Sequence, residues 1–140
     1  MEESGWAILG IGMMIAAGVI LVISLIVGVL FLLNLHRLLD AIKPANRTME
    51  PGLVWLNLIP IFNLGWLFYT VIKISEALGA ELAERGLDNP DEGGKVLGLV
   101  MAGTVVGGLI PLLGGISSLA ALVVGIIYWI KMAEYRKKLV

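Results

Sequence analysis

The sequence predicts an all-α integral membrane protein built from four hydrophobic helical segments, and three observations carry that expectation. The chain of 140 residues is 59% hydrophobic, with a mean hydropathy of +0.95, where apolar residues make up roughly half of a soluble domain. Its apolar residues collect in stretches at about 6–35, 52–74, 96–113 and 116–133, against the roughly 20 residues that cross a hydrocarbon core of about 30 Å. Trp6, Trp55, Tyr128 and Trp129 stand near the ends of those stretches, where amphipathic rings favour the headgroup layer. Trp66 does not, and reads as packed inside. A single membrane domain, 1–140, is expected.

Composition excludes several classes. With no cysteine there are no disulfides and no thiolate metal sites, and a net charge of −1 offers nothing to nucleic acid. The start MEESG places two glutamates and no base before the first apolar run. A cleavable signal peptide wants a basic start and a short apolar core, so the first helix is expected to be retained.

In the first segment Gly10, Ala17 and Ser24 recur every seven residues, with Gly28 four further on. Such a strip of small side chains lets helix backbones approach closely in lipid, so this face is expected to meet another helix. LHRLLDAIK after it reads as a short amphipathic piece at the interface, ended by Lys43-Pro44 because the residue before proline avoids helical geometry.

The second segment, Pro51 to Ile74, is apolar enough to cross a bilayer, yet it holds Asn57, Pro60, Asn63 and Thr70. An unmet amide in hydrocarbon costs several kcal/mol, and a mid-helix proline frees a carbonyl that needs another donor. One side of the segment must therefore face protein or water. Two paths fit. All ten Lys and Arg follow the first segment (Arg37, Lys43, Arg47), follow the second (Lys73, Arg85, Lys95) or lie in the tail (Lys131, Arg136, Lys137, Lys138). Basic residues near membrane ends concentrate on the cytoplasmic side. Four plain crossings divide these bases seven to three. A second segment broken at Pro60 that re-enters and returns puts all ten on one side, with the N-terminus opposite. The charge count favours the re-entrant path, and the length of the apolar run favours a crossing. Both leave the Lys73–Lys95 loop and the C-terminal tail cytoplasmic.

Past Ile74 the helical spacing continues through Leu78 and Leu82, with Glu81 four before Arg85 and a stop at Gly86. One helix from about Ile61 to Arg85 is expected, its second half a cytoplasmic amphipathic arm. The acid-rich face of that arm disfavours anionic lipid and points to a protein contact. LDNPDEGG is a turn-rich loop that lacks the spacing of a calcium loop. The third and fourth segments read as a tight helical hairpin turning at Pro111, Gly114 and Gly115. Gly94, Gly98 and Ala102 form one ladder of small residues, Gly103 and Gly107 a second, and Ser117, Ala121 and Gly125 a third.

No catalytic set, metal cluster or phosphate loop can be assembled, so neither an enzyme nor a cofactor is expected. His36 and Asp40, four apart on one helical face, could relay a proton, but such a pair at a membrane boundary is more often an interfacial cap. Ionisable groups are absent from the apolar cores, which argues against a proton-coupled transporter. On a helix Asn63, Trp66, Thr70 and Lys73 share a side, suited either to a wet pore wall or to a hydrogen-bonded seam between helices.

NRTMEPGLVWLNLIPIFNLGWLFYTVIKISEAL and the later IIYWIKMAEY resemble a family of small, uncharacterised bacterial multi-pass membrane proteins of about four helices. The resemblance covers about Arg47 to Leu87 and, more loosely, Tyr128 to Tyr135. It implies a home in the bacterial inner membrane and no particular activity. The function expected is a non-enzymatic module that packs helices, either as a homo-oligomer or against a membrane-protein partner, among membrane lipids. The rival expectation is an oligomeric channel for an ion or small solute, lined by the neutral polar residues of the second segment.

Overall fold

The computed structural model describes residues 2–108 and 114–140, and among them every regular element is helical. The α-helices are α1 (Glu2–Ala41), α2 (Phe62–Glu84), α3 (Lys95–Gly107) and α4 (Gly114–Leu139). Three short 3-10 helices occupy Pro44–Asn46, Pro51–Leu58 and Glu92–Gly94. Of the four expected segments, two form helices long and apolar enough to cross a membrane, α1 and the Gly115–Leu139 part of α4. The 13 residues of α3 rise only about 20 Å. The expected turn at Pro111 lies outside the described residues, and Gly114 and Gly115 begin α4 rather than precede it.

By packing, the chain divides into two compact units, Met1–Phe31 and Leu32–Val140. In the first, the helix from Glu2 to Phe31 rises about 45 Å and its large apolar side chains are exposed. The piece LHRLLDAIK is no separate interfacial element. Nothing between Leu35 and Ala41 breaks a helix, so α1 runs through it, and Leu32, Leu35, Leu38 and Leu39 are buried in the second unit.

The second segment is broken where proline demands it. Pro60 has no N–H to donate and pushes Ile59 out of helical geometry, to φ −78° and ψ 117°. Ile61 then takes φ 68° and ψ −52°, the strained positive-φ form of a γ-turn. That turn is closed by the Phe62 N–H donating to the Pro60 carbonyl at 2.7 Å. With Asn63 N–H on the Ile59 carbonyl at 3.0 Å, the chain reverses here and α2 returns along the 3-10 helix Pro51–Leu58.

From there α2 runs unbroken to Glu84. Gly86, at φ 68°, stops it by sending its N–H to the Ala83 carbonyl while Leu87 N–H reaches the Leu82 carbonyl, the paired bonds of a glycine-terminated helix. The expected arm is thus present as helix, but Ile74, Ala77, Leu78 and Leu82 are fully buried by the chain's own elements.

α3 and α4 pack antiparallel, with Gly94 opposite Met132, Gly98 opposite Tyr128, Gly125 opposite Met101 and Gly107 opposite Ser117. A Cβ at Gly98 would strike Val71 Cγ1 and lie 2.8 Å from Tyr128 Cε2, so this glycine is what lets α2, α3 and α4 meet. Gly103 is different. It is exposed and a Cβ there would meet nothing within 4 Å.

The turn at Ile61 makes a signed prediction. Ile61 is 82% exposed, and a β-branched residue at positive φ costs roughly 1–3 kcal/mol. Ile61→Gly should therefore raise the stability of the purified chain by about 1 kcal/mol in a denaturing-detergent titration. A continuous helix through this position would give the opposite sign, a loss of about 1 kcal/mol.

Candidate functional site: a doubled-back segment and its polar end

Hydrogen bonds fasten the two arms of the second segment at three levels. Near the open end Thr48 Oγ1 donates to the Lys73 carbonyl at 2.5 Å. Further in, Trp66 Nε1 donates to the Leu53 carbonyl at 2.9 Å. Asn57 Nδ2 donates to Thr70 Oγ1 and to the Val54 carbonyl, both at 3.0 Å. Asn57 and Thr70 are buried. Of the polar residues singled out in this segment, the structure brings these two together. It leaves Pro60 exposed at the tip and Asn63 half-buried at the start of α2. The face of α2 bearing Trp66 and Thr70 meets the 3-10 helix Pro51–Leu58. Asn57 Oδ1 is buried with no hydrogen-bond partner among the described residues.

The open end of the hairpin leads into a polar cluster built on Glu81, which is fully buried. Its carboxylate accepts from Lys43 N–H at 3.1 Å, Asn46 Nδ2 at 2.8 Å and Arg85 Nε at 3.0 Å. Burial alone would push this carboxyl's pKa up. The three donors and the Arg85 charge outweigh it and hold the group below its ordinary value. Around it, Glu84 takes Lys43 Nζ at 2.6 Å and Asn46 at 2.5 Å. Arg85 extends its other arm to the Leu139 carbonyl at 2.8 Å, joining the ends of α2 and α4. Arg47 Nε bonds the Leu39 and Ile42 carbonyls at 2.9 and 3.0 Å, and its Nη2 bonds Asp40 O at 2.9 Å. It thereby meets carbonyls that the end of α1 leaves open.

Two more anchors complete this end. Asp91 accepts from Lys131 Nζ and from Tyr135 Oη. Burial raises its pKa, and the bonds to Lys131 and Tyr135 bring it back below the ordinary carboxylate value. His36 Nε2 lies 3.3 Å from Asp40 Oδ2, while its Nδ1 accepts Trp55 Nε1–H at 3.2 Å. The pair expected as an interfacial cap therefore also ties the 3-10 helix Pro51–Leu58 to α1. Among the described residues no three His, Cys, Asp or Glu side chains gather to hold a metal.

Among the small-residue ladders, Gly94, Gly98 and Ala102 form a buried packing face. Ser117 Oγ donates to the Thr104 carbonyl at 2.7 Å opposite Gly107, Ala121 is half-buried, and Gly125 faces Met101. Gly103 faces outward. On the first unit Ala17 and Ser24 are exposed, and a Cβ at Gly10 would meet nothing within 4 Å.

The sequence reading missed four residues that hold this site. Asn34, buried in a leucine run, donates to the Trp129 carbonyl at 3.3 Å. Asn46, Arg47 and Asp91 lie in turns whose partners are 5 to 44 residues away. The only visible signal was a polar residue inside an apolar run, for Asn34, and bases just after a helix, for Arg47.

The seam and the cluster each predict an outcome. In a double-mutant cycle on detergent unfolding, Asn57→Leu and Thr70→Val should show a coupling of about 0.5–1.5 kcal/mol. Glu81 titrates lower when folded than its ordinary 4.5. The stability it contributes is therefore complete above that value and is lost as pH falls through the lower, folded value. Unfolding measured from neutral pH downward should show an acid limb that is shallower in Glu81→Gln than in the parent chain. No family model, curated protein or solved structure matches this chain.

Proposed function

We propose that this chain is a multi-pass, non-enzymatic membrane module. In this reading residues 51–74 dip into the bilayer and return to the side they left, and the N-terminal helix offers its small-residue strip, Gly10, Ala17 and Ser24, to a second copy or another membrane protein. The observation that carries it is the closure of the hairpin. Because Thr48 is bonded beside Lys73 and Leu53 beside Trp66, the bases flanking both arms fall on one side. Bonds from Lys43 to Glu84, Arg85 to Leu139 and Lys131 to Asp91 gather the remaining charged ends there. That is the distribution expected of a cytoplasmic face, bacterial inner membrane included. The two long apolar helices support residence in a membrane.

A pore lined by the second segment is less well supported. Of the polar groups that would line it, Asn57 and Thr70 are buried and bonded to each other, and Asn63 is half-buried.

The absence of cysteine makes the topology directly measurable. Single cysteines at Ser4 and at Ala45, both exposed, are treated in intact producing cells with a membrane-impermeant maleimide. Labelling is expected at position 4 and not at 45. Labelling at 45 alone would reject the returning hairpin in favour of four crossings.

A further inference from the structure

Beside the Asp91 anchor lies a groove of about 570 Å³, between the 3-10 helix Glu92–Gly94, the start of α3 and the end of α4. Its volume falls in the ~300–1,000 Å³ range of small-molecule sites. The two ends of the groove differ in chemistry. One wall is aliphatic, with Val96, Leu97, Val100 and Ile127. Of these, Val96 is 70% exposed, and Val100 and Ile127 are also exposed, so their side chains lack cover from the protein. The mouth is charged, with Asp91, Glu92 and Lys131.

We infer that this groove holds a phospholipid whose headgroup carries an ammonium, the headgroup at Glu92 and Asp91 and an acyl chain along Val96, Val100 and Ile127. This rests on the membrane residence proposed above. The charges decide the class of lipid. Lys131 is already paired with Asp91, and Glu92 has no hydrogen bond or ion pair among the described residues, so the mouth carries a surplus negative charge. An anionic headgroup would be repelled by it, and an ammonium is attracted. The phosphate of the same lipid needs donors. The first turn of α3 borders the groove, and its N-cap is Gly94, with no side-chain cap. Open N–H groups at a helix start suit a phosphate. The apolar wall lies along α4, one of the two helices long and apolar enough to cross a membrane. A single molecule with a zwitterionic head and an apolar tail satisfies all three surfaces, whereas a soluble anion or a free hydrocarbon satisfies one.

The test reconstitutes the full chain into vesicles of equal phosphatidylethanolamine and phosphatidylglycerol with matched acyl chains, then extracts it gently and measures the headgroups that stay bound by native mass spectrometry. Ethanolamine lipid should be enriched by about tenfold, the equivalent of about 1.4 kcal/mol. Glu92→Gln should abolish the enrichment. Val100→Trp, which fills the groove, should reduce bound lipid of both kinds, while Leu122→Trp, exposed on α4 away from the groove, should leave the result unchanged. Circular dichroism and elution volume identify any variant that fails to fold, and Glu92→Gln, on an exposed side chain, keeps the test decisive if Val100→Trp does not. Equal retention of the two lipids, a preference for phosphatidylglycerol, or enrichment that survives Glu92→Gln overturns the assignment. A chain that fails to float with the vesicles overturns the membrane reading instead, so the two failures are distinguishable.

Discussion

A backbone that turns around within an apolar run must bring its hydrogen-bond partners with it, because each N–H or C=O buried unmet costs free energy. The segment from Pro51 to Ile74 meets this constraint with few residues. The arm before the turn is a 3-10 helix that satisfies part of its backbone locally, and the Val54 and Leu53 carbonyls take donors from Asn57 and Trp66. At the reversal the γ-turn pairs Phe62 N–H with the Pro60 carbonyl, and Asn63 N–H takes the Ile59 carbonyl. Proline helps twice, by breaking the helix and by having no N–H to leave unmet. The side chains that looked misplaced in an apolar run are thus what allow the run to reverse.

The same closure organises the other end. Once the two arms are antiparallel neighbours, the turn at Pro44–Asn46 is brought beside the far part of α2, where Glu81 can accept Lys43 N–H and Asn46 Nδ2. A buried carboxylate is costly unless donors surround it. Glu81 has three, and Arg85, one of them, continues to the end of α4. The apolar face of the amphipathic arm and its Glu81 are therefore covered by the chain's own elements.

What was legible in the sequence followed from local rules. The 3.6-residue spacing and Gly86 place α2 within a residue or two of its observed bounds, and Pro60 marks the break. The direction of the break was not legible: a kink and a reversal share the same proline, and the difference lies in the φ of Ile61 and in bonds between residues 13 apart. Gly98 and Gly103 look alike in ladders of identical spacing. Only Gly98 has Val71 and Tyr128 against it, because α2 crosses that face of α3 and no periodicity in α3 records where α2 lies. Glu81 reads locally as a surface partner of Arg85; its burial comes from the Lys43–Asn46 turn, which is distant in sequence. Asn34 stands out as one amide among leucines, but its partner, the Trp129 carbonyl, is 95 residues away and no local pattern points to it.

The distribution of bonded and unbonded polar atoms bears on what the proposed module can do. A path for ions needs a row of oxygens that face a common space and hold the solute weakly enough to release it. Here Thr70 Oγ1 accepts from Asn57 Nδ2, the Thr104 carbonyl accepts from Ser117, and the Trp129 carbonyl accepts from Asn34. Each bond crosses between packed elements, as polar bonds that hold membrane helices together do. Asn57 Oδ1 differs, an acceptor buried without a partner among the described residues, which costs roughly 1–3 kcal/mol. One such atom does not make a row. Its neighbour Asn57 Nδ2 makes two bonds that hold the arms together, so orienting the amide for the seam strands the oxygen. The geometry of Asn57 is thus set by the two bonds that hold the hairpin closed.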